Sequence, residues 1–279
     1  MGLINKMSKT NFKKLIAFLE YKMRTKKQQL LNTVVKHQMA NFKSIPIIII
    51  SFNQLLYLEK LVSFLLNKEY TNIIIVDNNS SYKPLLEYFK NIENKVTLYR
   101  LKTNDGHLAL WKNTTIFNTH CKGYYAVTDA DVVPLNECPD DFMKYFRKLL
   151  DKAWLCTKVG FSLKIDDVPD TNPNKKHVLE WESKFWTTKI NSLAYKAEID
   201  TTFALYRPGY QYKLKDFTKA WRTDYPMQAI HGGWYLDVDN LTEEQAYYIN
   251  TANQSASWNI DSKGVLVNIK HKPLYKDES

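Results

Sequence analysis

The first half of the chain alternates short, strongly apolar runs with longer segments whose apolar residues recur at helical spacing. Four runs rich in β-branched or aromatic residues predict strands at 45–50, 72–76, 96–101 and 124–128. Helical patterns fill the intervals at 54–67, 82–90 and 108–120. Because strands that alternate with helices build a mostly parallel sheet covered on both faces, this half predicts an α/β fold with flanking helices.

Beyond residue 135 this alternation does not continue. The patterns predict helices at 140–152, 179–186 and 242–252, a polar loop at 166–176 and short strands near 197–206. We therefore expect one domain at 44–279 that consists of a ligand-binding half, 44–135, and a half of different construction, 136–279.

Residues 1–43 form a basic helical N-terminal extension. They contain ten basic residues and one acidic residue, against a net charge of +10 for the whole chain, so the domain itself is nearly neutral. Apolar residues recur at helical spacing at 12, 15, 16, 19 and 23 and again at 30, 31, 34 and 35. Three interpretations remain open: a solvated helix docked on the domain, a basic amphipathic helix on an anionic membrane surface, or a nucleic-acid-binding arm. A nucleic-acid partner is not expected, because the chain has no recognisable nucleic-acid motif and no second basic patch.

The sequence favours a cytoplasmic location. No apolar run approaches the ~18 residues of a spanning helix, and the basic N-terminus lacks the apolar region and cleavage site of a signal peptide. The three cysteines, Cys121, Cys138 and Cys156, form no CxxC pair, which is typical of a reducing compartment. Residues 1–43 are the part that would hold the protein at the inner face of a membrane.

Polar side chains follow each predicted strand of the first half. The residues concerned are Ser51 and Asn53, Asp77 and Asn79, Asn104, and Asp129 with Asp131. Ligands of parallel α/β sheets bind beyond the carboxyl ends of the strands. We therefore expect these side chains to share one rim and one ligand.

Asp129 and Asp131 stand two residues apart at the end of a predicted strand, so both point to the same side. In that position they can share a divalent cation, Mn²⁺ or Mg²⁺, that also binds two phosphates. The alternative is a pair of loop carboxylates that cap the next helix. The acid at the end of an earlier strand, Asp77, favours the metal site.

The segment from Ile45 to Pro134 resembles the nucleotide-sugar-binding half of GT-A glycosyltransferases, in particular the inverting, family-2-like group. The resemblance is carried by the opening strand 46–53, by Val76-Asp77-Asn78-Asn79-Ser80, by Asn104-Asp105-Gly106 with Asn113, and by Thr128-Asp129-Ala130-Asp131. It implies a GT-A fold, a nucleotide-sugar half at 44–135 and an acceptor half at 136–279.

The resemblance also implies a role for each matching residue. Asp77 would accept a hydrogen bond from the nucleobase, and Asn79 would contact the ribose or base. Ser51, Asn53, Asn104 and Gly106 would line the donor pocket. Asp129 would face the ribose or the metal, and Asp131 would bind the metal directly.

A second group of candidates lies in the other half of the chain. His231 precedes Gly232-Gly233-Trp234, and many GT-A enzymes bring a late histidine to the metal, so His231 is expected as the third ligand. Inverting transfer needs a base for the acceptor hydroxyl. Asp200 in Ile199-Asp200-Thr201-Thr202 is the favoured base, with Glu180 and Glu182 as alternatives on a helix face; the "ED" pair in which the family usually places its base is absent.

These observations predict a metal-dependent glycosyltransferase that uses a nucleotide-sugar donor, a UDP-sugar in preference, and a glycan or lipid-linked acceptor of cell-surface polysaccharide synthesis. A sugar nucleotidyltransferase would need a Gly-rich basic loop after the first strand, which residues 51–54 do not provide. A non-catalytic carbohydrate- or nucleic-acid-binding protein is the other alternative.

Overall fold

The structure, a computed structural model, describes residues 9–252. Its helices are α1 (Lys9–Leu31), α2 (Thr33–Ala40), α3 (Leu56–Asn67), α4 (Lys83–Ile92), α5 (Ala109–Lys112), α6 (Thr114–His120), α7 (Phe142–Lys152), α8 (Lys175–Ser183) and α9 (Glu243–Thr251). Its strands are β1 (Ile47–Ser51), β2 (Ile73–Asp77), β3 (Thr97–Arg100), β4 (Tyr125–Asp129), β5 (Val132–Pro134), β6 (Lys158–Gly160), β7 (Ser162–Leu163), β8 (Lys189–Asn191), β9 (Ala194–Lys196), β10 (Ala204–Tyr206), β11 (Ala220–Thr223) and β12 (Gln228–His231). Residues 1–8 of the predicted extension and residues 253–279 of the predicted second half lie outside this range.

A nine-stranded sheet in the order β3-β2-β1-β4-β10-β6-β11-β9-β8 forms the centre of the molecule. The four strands of the first half, β3, β2, β1 and β4, are parallel to their neighbours. β10 then pairs antiparallel with β4, and the remaining strands are mixed in direction. The predicted α/β fold with a mostly parallel sheet and flanking helices is therefore confirmed.

The apolar runs of β1 and β2 are buried on both faces, as the sequence predicted for central strands. Alternate residues divide between two cores: Ile47 and Ile49 join α3 and α7 on one face, while Ile48 and Ile50 join α5 and α6 on the other. The sheet is thus covered on both sides, and the carboxyl ends of its strands are left as the open rim.

Three parallel strands end together at this rim. In register, Ser51 at the end of β1 lies beside Asp77 at the end of β2, and Ile50 lies beside Asp129 at the end of β4. A small sheet in the order β5-β12-β7 closes the rim next to β4. Its antiparallel pairing places His231 opposite Val132, one residue beyond Asp131.

The N-terminal extension contains two helices rather than one continuous helix. Asn32 separates them, because its Oδ1 accepts from the N–H groups of Val34 and Val35 and so begins α2 as a helix cap. α1 docks on the body through Tyr21, whose hydroxyl donates to the Asp151 carbonyl (3.0 Å) and accepts from Arg207 (3.0 Å). Between residues 9 and 252, no helix is both long and apolar enough to cross a membrane.

Several predicted boundaries differ from the structure. The helix predicted at 108–120 is divided at Asn113, whose Oδ1 accepts from Ile116 N and starts α6. The Trp-rich helix begins at Lys175, inside the predicted polar loop, and its α-helical part ends at Ser183. Of the strands predicted near 197–206, only 204–206 forms one, because the preceding residues turn toward the rim.

Candidate active site

The acidic pair lies at the centre of the rim. Asp129 is the last residue of β4, and Asp131 follows Ala130, whose N–H donates to Ile50 O of β1. Burial raises the pKa of Asp129 well above its ordinary value, and the neighbouring charge of Asp131 raises it further. The hydroxyl of Thr201 donates to Asp129 Oδ2 at 2.5 Å, which opposes that shift. The two carboxylates are therefore close enough for their charges to repel, and a bound cation would relieve that repulsion.

His231 joins the acidic pair through the pairing of β12 with β5. Its Nδ1 lies 3.5 Å from Asp131 Oδ2, and its ring stacks on Trp234 with centres 4.8 Å apart. The loop after His231 encloses Asp131: Gly232 N donates to the Asp131 carbonyl (2.6 Å) and Gly233 N donates to Oδ2 (3.2 Å). The sequence-predicted metal residues Asp129, Asp131 and His231 are thus brought together.

The donor set of this cluster suits a divalent cation. His231 Nδ1 is buried without a hydrogen-bond partner, as are Ser51 Oγ and Thr202 Oγ1 around the same rim. Unsatisfied buried polar atoms are uncommon in folded proteins, and their concentration at one place points to an additional ligand. Among residues 9–252, no group of three or more His, Cys, Asp or Glu side chains is arranged to hold a metal ion. Mg²⁺ is commonly held by only one or two carboxylates and completed by phosphate oxygens, so the Asp131 carboxylate, with the His231 imidazole 3.5 Å away, could take part in such a site.

Asp77 lies at the end of β2, completely buried, and its carboxylate is anchored on both sides. Ser80 N donates to its two oxygens at 3.2–3.3 Å, and Arg100 Nε donates to Oδ2 at 3.1 Å. Arg100 closes β3 in register with Asp77 and also donates to the Ser80 carbonyl. Arg100 was not predicted from the sequence as part of the site. The feature that could have indicated it is a basic residue at the end of one strand beside an acidic residue at the end of the neighbouring strand.

Asn53 and Asn79 both adopt the left-handed backbone region, with φ of 48° and 65°. The side chain of Asn53 is occupied by the protein: Oδ1 accepts from Ser81 N and Tyr82 N, and Nδ2 donates to Thr251 Oγ1. Asn53 therefore shapes the rim, because its side-chain amide joins residues 81–82 to Thr251 of α9. Asn79 is exposed and faces solvent at the tip of its turn.

The Asn104–Gly106 segment is tied to the Asp77 turn by Asn78, a buried residue that was not predicted as part of the site. Asn78 Nδ2 donates to Gly106 O (3.1 Å) and its Oδ1 accepts from Asp105 N (3.2 Å). Asn104 Oδ1 accepts from Gly106 N (2.9 Å), which stabilises the positive φ of that glycine, 63°. The two predicted donor-binding segments thus form one connected wall.

Asp200 approaches the acidic pair from the second half of the chain. The next residue, Thr201, holds Asp129, and the Asp200 carbonyl accepts from Lys158 Nζ. The two alternative bases have other surroundings. Glu182 is buried in an ion pair with Arg222 (2.6 Å), whereas Glu180 is exposed beside Lys176.

α9 lies against the loops that follow β1 and β2, a contact that the local sequence pattern does not predict. The Glu244 carboxylate accepts from Leu55 N and Leu56 N at the start of α3, and the Tyr247 hydroxyl lies 2.9 Å from Ser81 Oγ. Burial, with the charges of both acidic-pair residues, raises the pKa of Tyr248. α9 is therefore part of the wall around the rim.

A family model described as glycosyl transferase family 2 matches residues 47–207, more than half of the chain. The chain belongs to glycosyl transferase family 2. The matched range begins with β1 and contains Asp77, Asp129, Asp131 and Asp200, whereas His231 and α9 lie beyond it. The acidic pair therefore lies in the family domain.

Similar solved structures include a mannosyltransferase from Pyrobaculum calidifontis, in complex with GDP-Man and Mn²⁺, with 15% identity and a TM-score of 0.42 over 74% of this chain and 60% of that one. TarS (residues 1–349) from S. aureus has 13% identity and a TM-score of 0.39, over 83% of this chain and 77% of that one. A cytidylyltransferase from Leptospira borgpetersenii has 11% identity and a TM-score of 0.31, over 50% of this chain and 71% of that one. This chain thus spans less than two thirds of the mannosyltransferase's length. No curated protein sequence matches the chain.

Proposed function

We propose that this glycosyltransferase transfers a sugar from a nucleoside diphosphate sugar to a glycan or lipid-linked acceptor of cell-surface polysaccharide synthesis. The observation that carries the proposal is the approach of His231 Nδ1 to Asp131 Oδ2, beside Asp129, where the parallel strands end. A charged, partly enclosed cluster at this rim is the expected binding place of a diphosphate in an α/β sheet.

Asp131 and His231 would hold Mn²⁺ or Mg²⁺, with Asp129 contributing its charge or a contact to the ribose. When bound, the ion would neutralise the charge that develops on the departing nucleoside diphosphate. Gly233 N orients the Asp131 carboxylate (3.2 Å), and Gly232 N anchors its backbone (2.6 Å). The chain itself therefore supplies the fixed geometry on which the diphosphate would dock.

The nucleotide would lie along the wall formed by Ser51, Asp77, Asn79, Asn104 and Gly106. A carboxylate only accepts hydrogen bonds, so Asp77 suits a base that presents an N–H donor. Uracil does so at N3, and we propose a UDP-sugar as the favoured donor, with GDP- and CDP-sugars as the alternatives that the activity test below compares. Asn53 would act on the donor through the shape that its hydrogen bonds give the rim.

Asp200 would accept the proton of the acceptor hydroxyl while that oxygen attacks the anomeric carbon and the bond to the diphosphate breaks. The Asp200 turn is joined to the acidic pair by the hydrogen bond from Thr201 to Asp129. The base is therefore connected to the residues that would hold the leaving diphosphate. Direct displacement of this kind inverts the anomeric configuration.

Activity on donors tests the proposal. Release of nucleoside diphosphate from UDP-, GDP- and CDP-sugars is measured with and without Mn²⁺, with Asp166→Asn as a matched control because the Asp166 carboxylate is exposed and lies beside Lys164. We expect Mn²⁺-dependent release from UDP-sugars, retained in the control and lost in Asp131→Asn. Metal-independent release, or equal release by Asp131→Asn, would contradict it.

We further propose that residues 1–43 hold the enzyme at the inner, anionic face of the cell membrane. Phe18, Tyr21 and Gln29 of α1 face the body. On the opposite side, exposed apolar side chains form an outer stripe, which consists of Phe12, Leu15, Ile16, Leu19, Met23 and Leu30. Exposed lysines flank it, and a basic amphipathic face of this kind suits anionic lipid headgroups.

Vesicle binding tests the membrane proposal. A variant with Ile16, Leu19 and Met23 all changed to Gln is compared with Leu214→Gln, since Leu214 is as exposed as Met23 and lies outside the helix under test. We expect the triple variant to lose co-sedimentation with anionic vesicles and the control to keep it. Unchanged binding of the triple variant would show that the outer stripe does not contact lipid.

A further inference from the structure

Lys158 is a fully buried cationic side chain beneath the active site, and no step proposed above uses it. It opens β6, between Tyr206 of β10 and Ala220 of β11. Its Nζ donates to the Asp200 carbonyl at 2.5 Å and to the Tyr206 hydroxyl at 3.0 Å. The same nitrogen lies 3.6 Å from the centre of the Phe217 ring. Lys158 thus makes two directed hydrogen bonds inside an aromatic environment.

An amine at this position is costly for the fold. Burial lowers the pKa of Lys158 well below its ordinary value, although the charges of Asp200 and Asp129 act in the opposite direction. Moving a polar group out of water costs free energy that an apolar residue of the same size would not incur. Space filling alone therefore does not account for a lysine here, whereas a hydrogen bond to one particular carbonyl does.

The carbonyl that Lys158 holds belongs to a short turn, residues 200–202, that reaches the acidic pair. Thr201 in this turn donates to Asp129 Oδ2 at 2.5 Å. A displacement of the Asp200 backbone would move both the Asp200 carboxylate and the Thr201 hydroxyl. Lys158 is the side chain that fixes this turn from inside the core.

We propose that Lys158 is a positioning residue for the transfer reaction, which holds the 200–202 turn so that the Asp200 carboxylate keeps its place relative to Asp129. The inference rests on the proposed role of Asp200. Lys158 is completely buried and acts on the reaction through the 200–202 turn. Its loss should therefore slow the chemical step more than it weakens donor binding, because the nucleoside would keep its contacts at the ends of β1 and β2.

Steady-state kinetics of Lys158→Met test this. We expect kcat to fall by roughly 10- to 100-fold, the effect of a catalytic group displaced by about 1 Å, with the donor KM changed by no more than about twofold. The matched control is Tyr206→Phe, which removes the second acceptor of Nζ and leaves the bond to the Asp200 carbonyl; its kcat should stay within about threefold. An unchanged kcat in Lys158→Met would overturn the inference. A melting temperature more than about 10 °C below wild type would also overturn it, because Lys158 would then be required for stability.

A double-mutant cycle with Asp200→Asn separates this inference from the proposed function. If Lys158 acts through the Asp200 carboxylate, Lys158→Met should have little further effect in the Asp200→Asn background. The single-turnover rate constant should then fall by less than about threefold. The full loss in that background would overturn the positioning role alone. Full activity of Asp200→Asn would instead overturn the proposed base, and this inference with it.

Discussion

Gly232 is where a single methyl group should have the largest calculable effect on the site. A Cβ at this position would lie 2.5 Å from Cε2 of Tyr57, whereas carbon atoms in contact are normally about 3.5–4.0 Å apart. The ring belongs to α3, is packed against the main core, and its pKa is raised to about 12 by burial and by the charges of Asp131 and Glu244. The overlap is with the body of the ring, so Gly232→Ala requires the ring, the loop or the helix to shift.

Overpacking of this kind costs about 1–3 kcal/mol. Alanine also lowers the conformational entropy of the unfolded chain relative to glycine, which offsets about 0.4–1 kcal/mol of that cost. For a chain of this size, the remainder corresponds to a fall in melting temperature of roughly 2–8 °C. Thermal unfolding followed by circular dichroism measures it. Because Gly232 N also anchors the Asp131 carbonyl, the variant should also show a weakened thermal response to Mn²⁺.

The Tyr57→Ala background provides the decisive comparison. Without the ring, alanine at 232 has room, so Gly232→Ala should then cost less than about 0.5 kcal/mol. Gly233→Ala is the companion variant: its Cβ would lie 3.2–3.3 Å from His231 and Asp131, a milder overlap that acts on the acidic site itself. Equal destabilisation by Gly232→Ala in both backgrounds, or no destabilisation in either, would refute the packing argument.

Three further predictions concern charged groups of the rim and the core. Asp129→Asn should raise the melting temperature at pH 8 by more than at pH 4. A carboxyl whose pKa is raised in the folded protein stabilises the fold at low pH and loses that contribution as the pH rises through the folded pKa. An equal effect at both pH values would argue against a buried, repelled carboxylate. Glu182→Gln should lower the unfolding free energy by about 3–5 kcal/mol, because it leaves Arg222 buried without its ion partner. The kcat of the protein that remains folded should not change. A large loss of kcat without a loss of stability would make Glu182 the base. Arg100→Met should raise the donor KM on the order of tenfold, because Asp77 loses a charged hydrogen-bond donor; an unchanged KM would place the nucleobase elsewhere.

The first half of the fold was predictable because its signals are local. β1 and β2 are continuous β-branched runs buried on both faces, and their polar end residues follow directly in the sequence. Parallel pairing then brings Ser51, Asp77 and Asp129 to one rim without any further information. The helix divisions at Asn32 and Asn113 were missed, although asparagine is a recognised helix-capping residue, because apolar spacing continues across both positions.

The second half was less predictable because its contacts join residues far apart in the chain. Glu182 lies on a helix whose pattern suggests a solvated face, yet its partner Arg222 comes from β11, forty residues later. Lys158 and Asp200 are forty-two residues apart, and no spacing rule connects them. α9 reaches the rim through Glu244 and Thr251, which contact Leu55 and Asn53 almost two hundred residues earlier. Such pairs follow from tertiary packing, which overrides local patterns.

Joint binding of nucleotide and metal at Asp131 and His231 can be measured by thermal unfolding. The melting temperature is measured with UDP, with Mn²⁺ and with both, in the wild type, in Asp131→Asn and in the Asp166→Asn control. A ligand that binds only the folded protein raises its melting temperature. The account predicts a rise with UDP that requires Mn²⁺, is retained in the control and is lost in Asp131→Asn. A rise that does not depend on Mn²⁺, or one of equal size in Asp131→Asn, would contradict it.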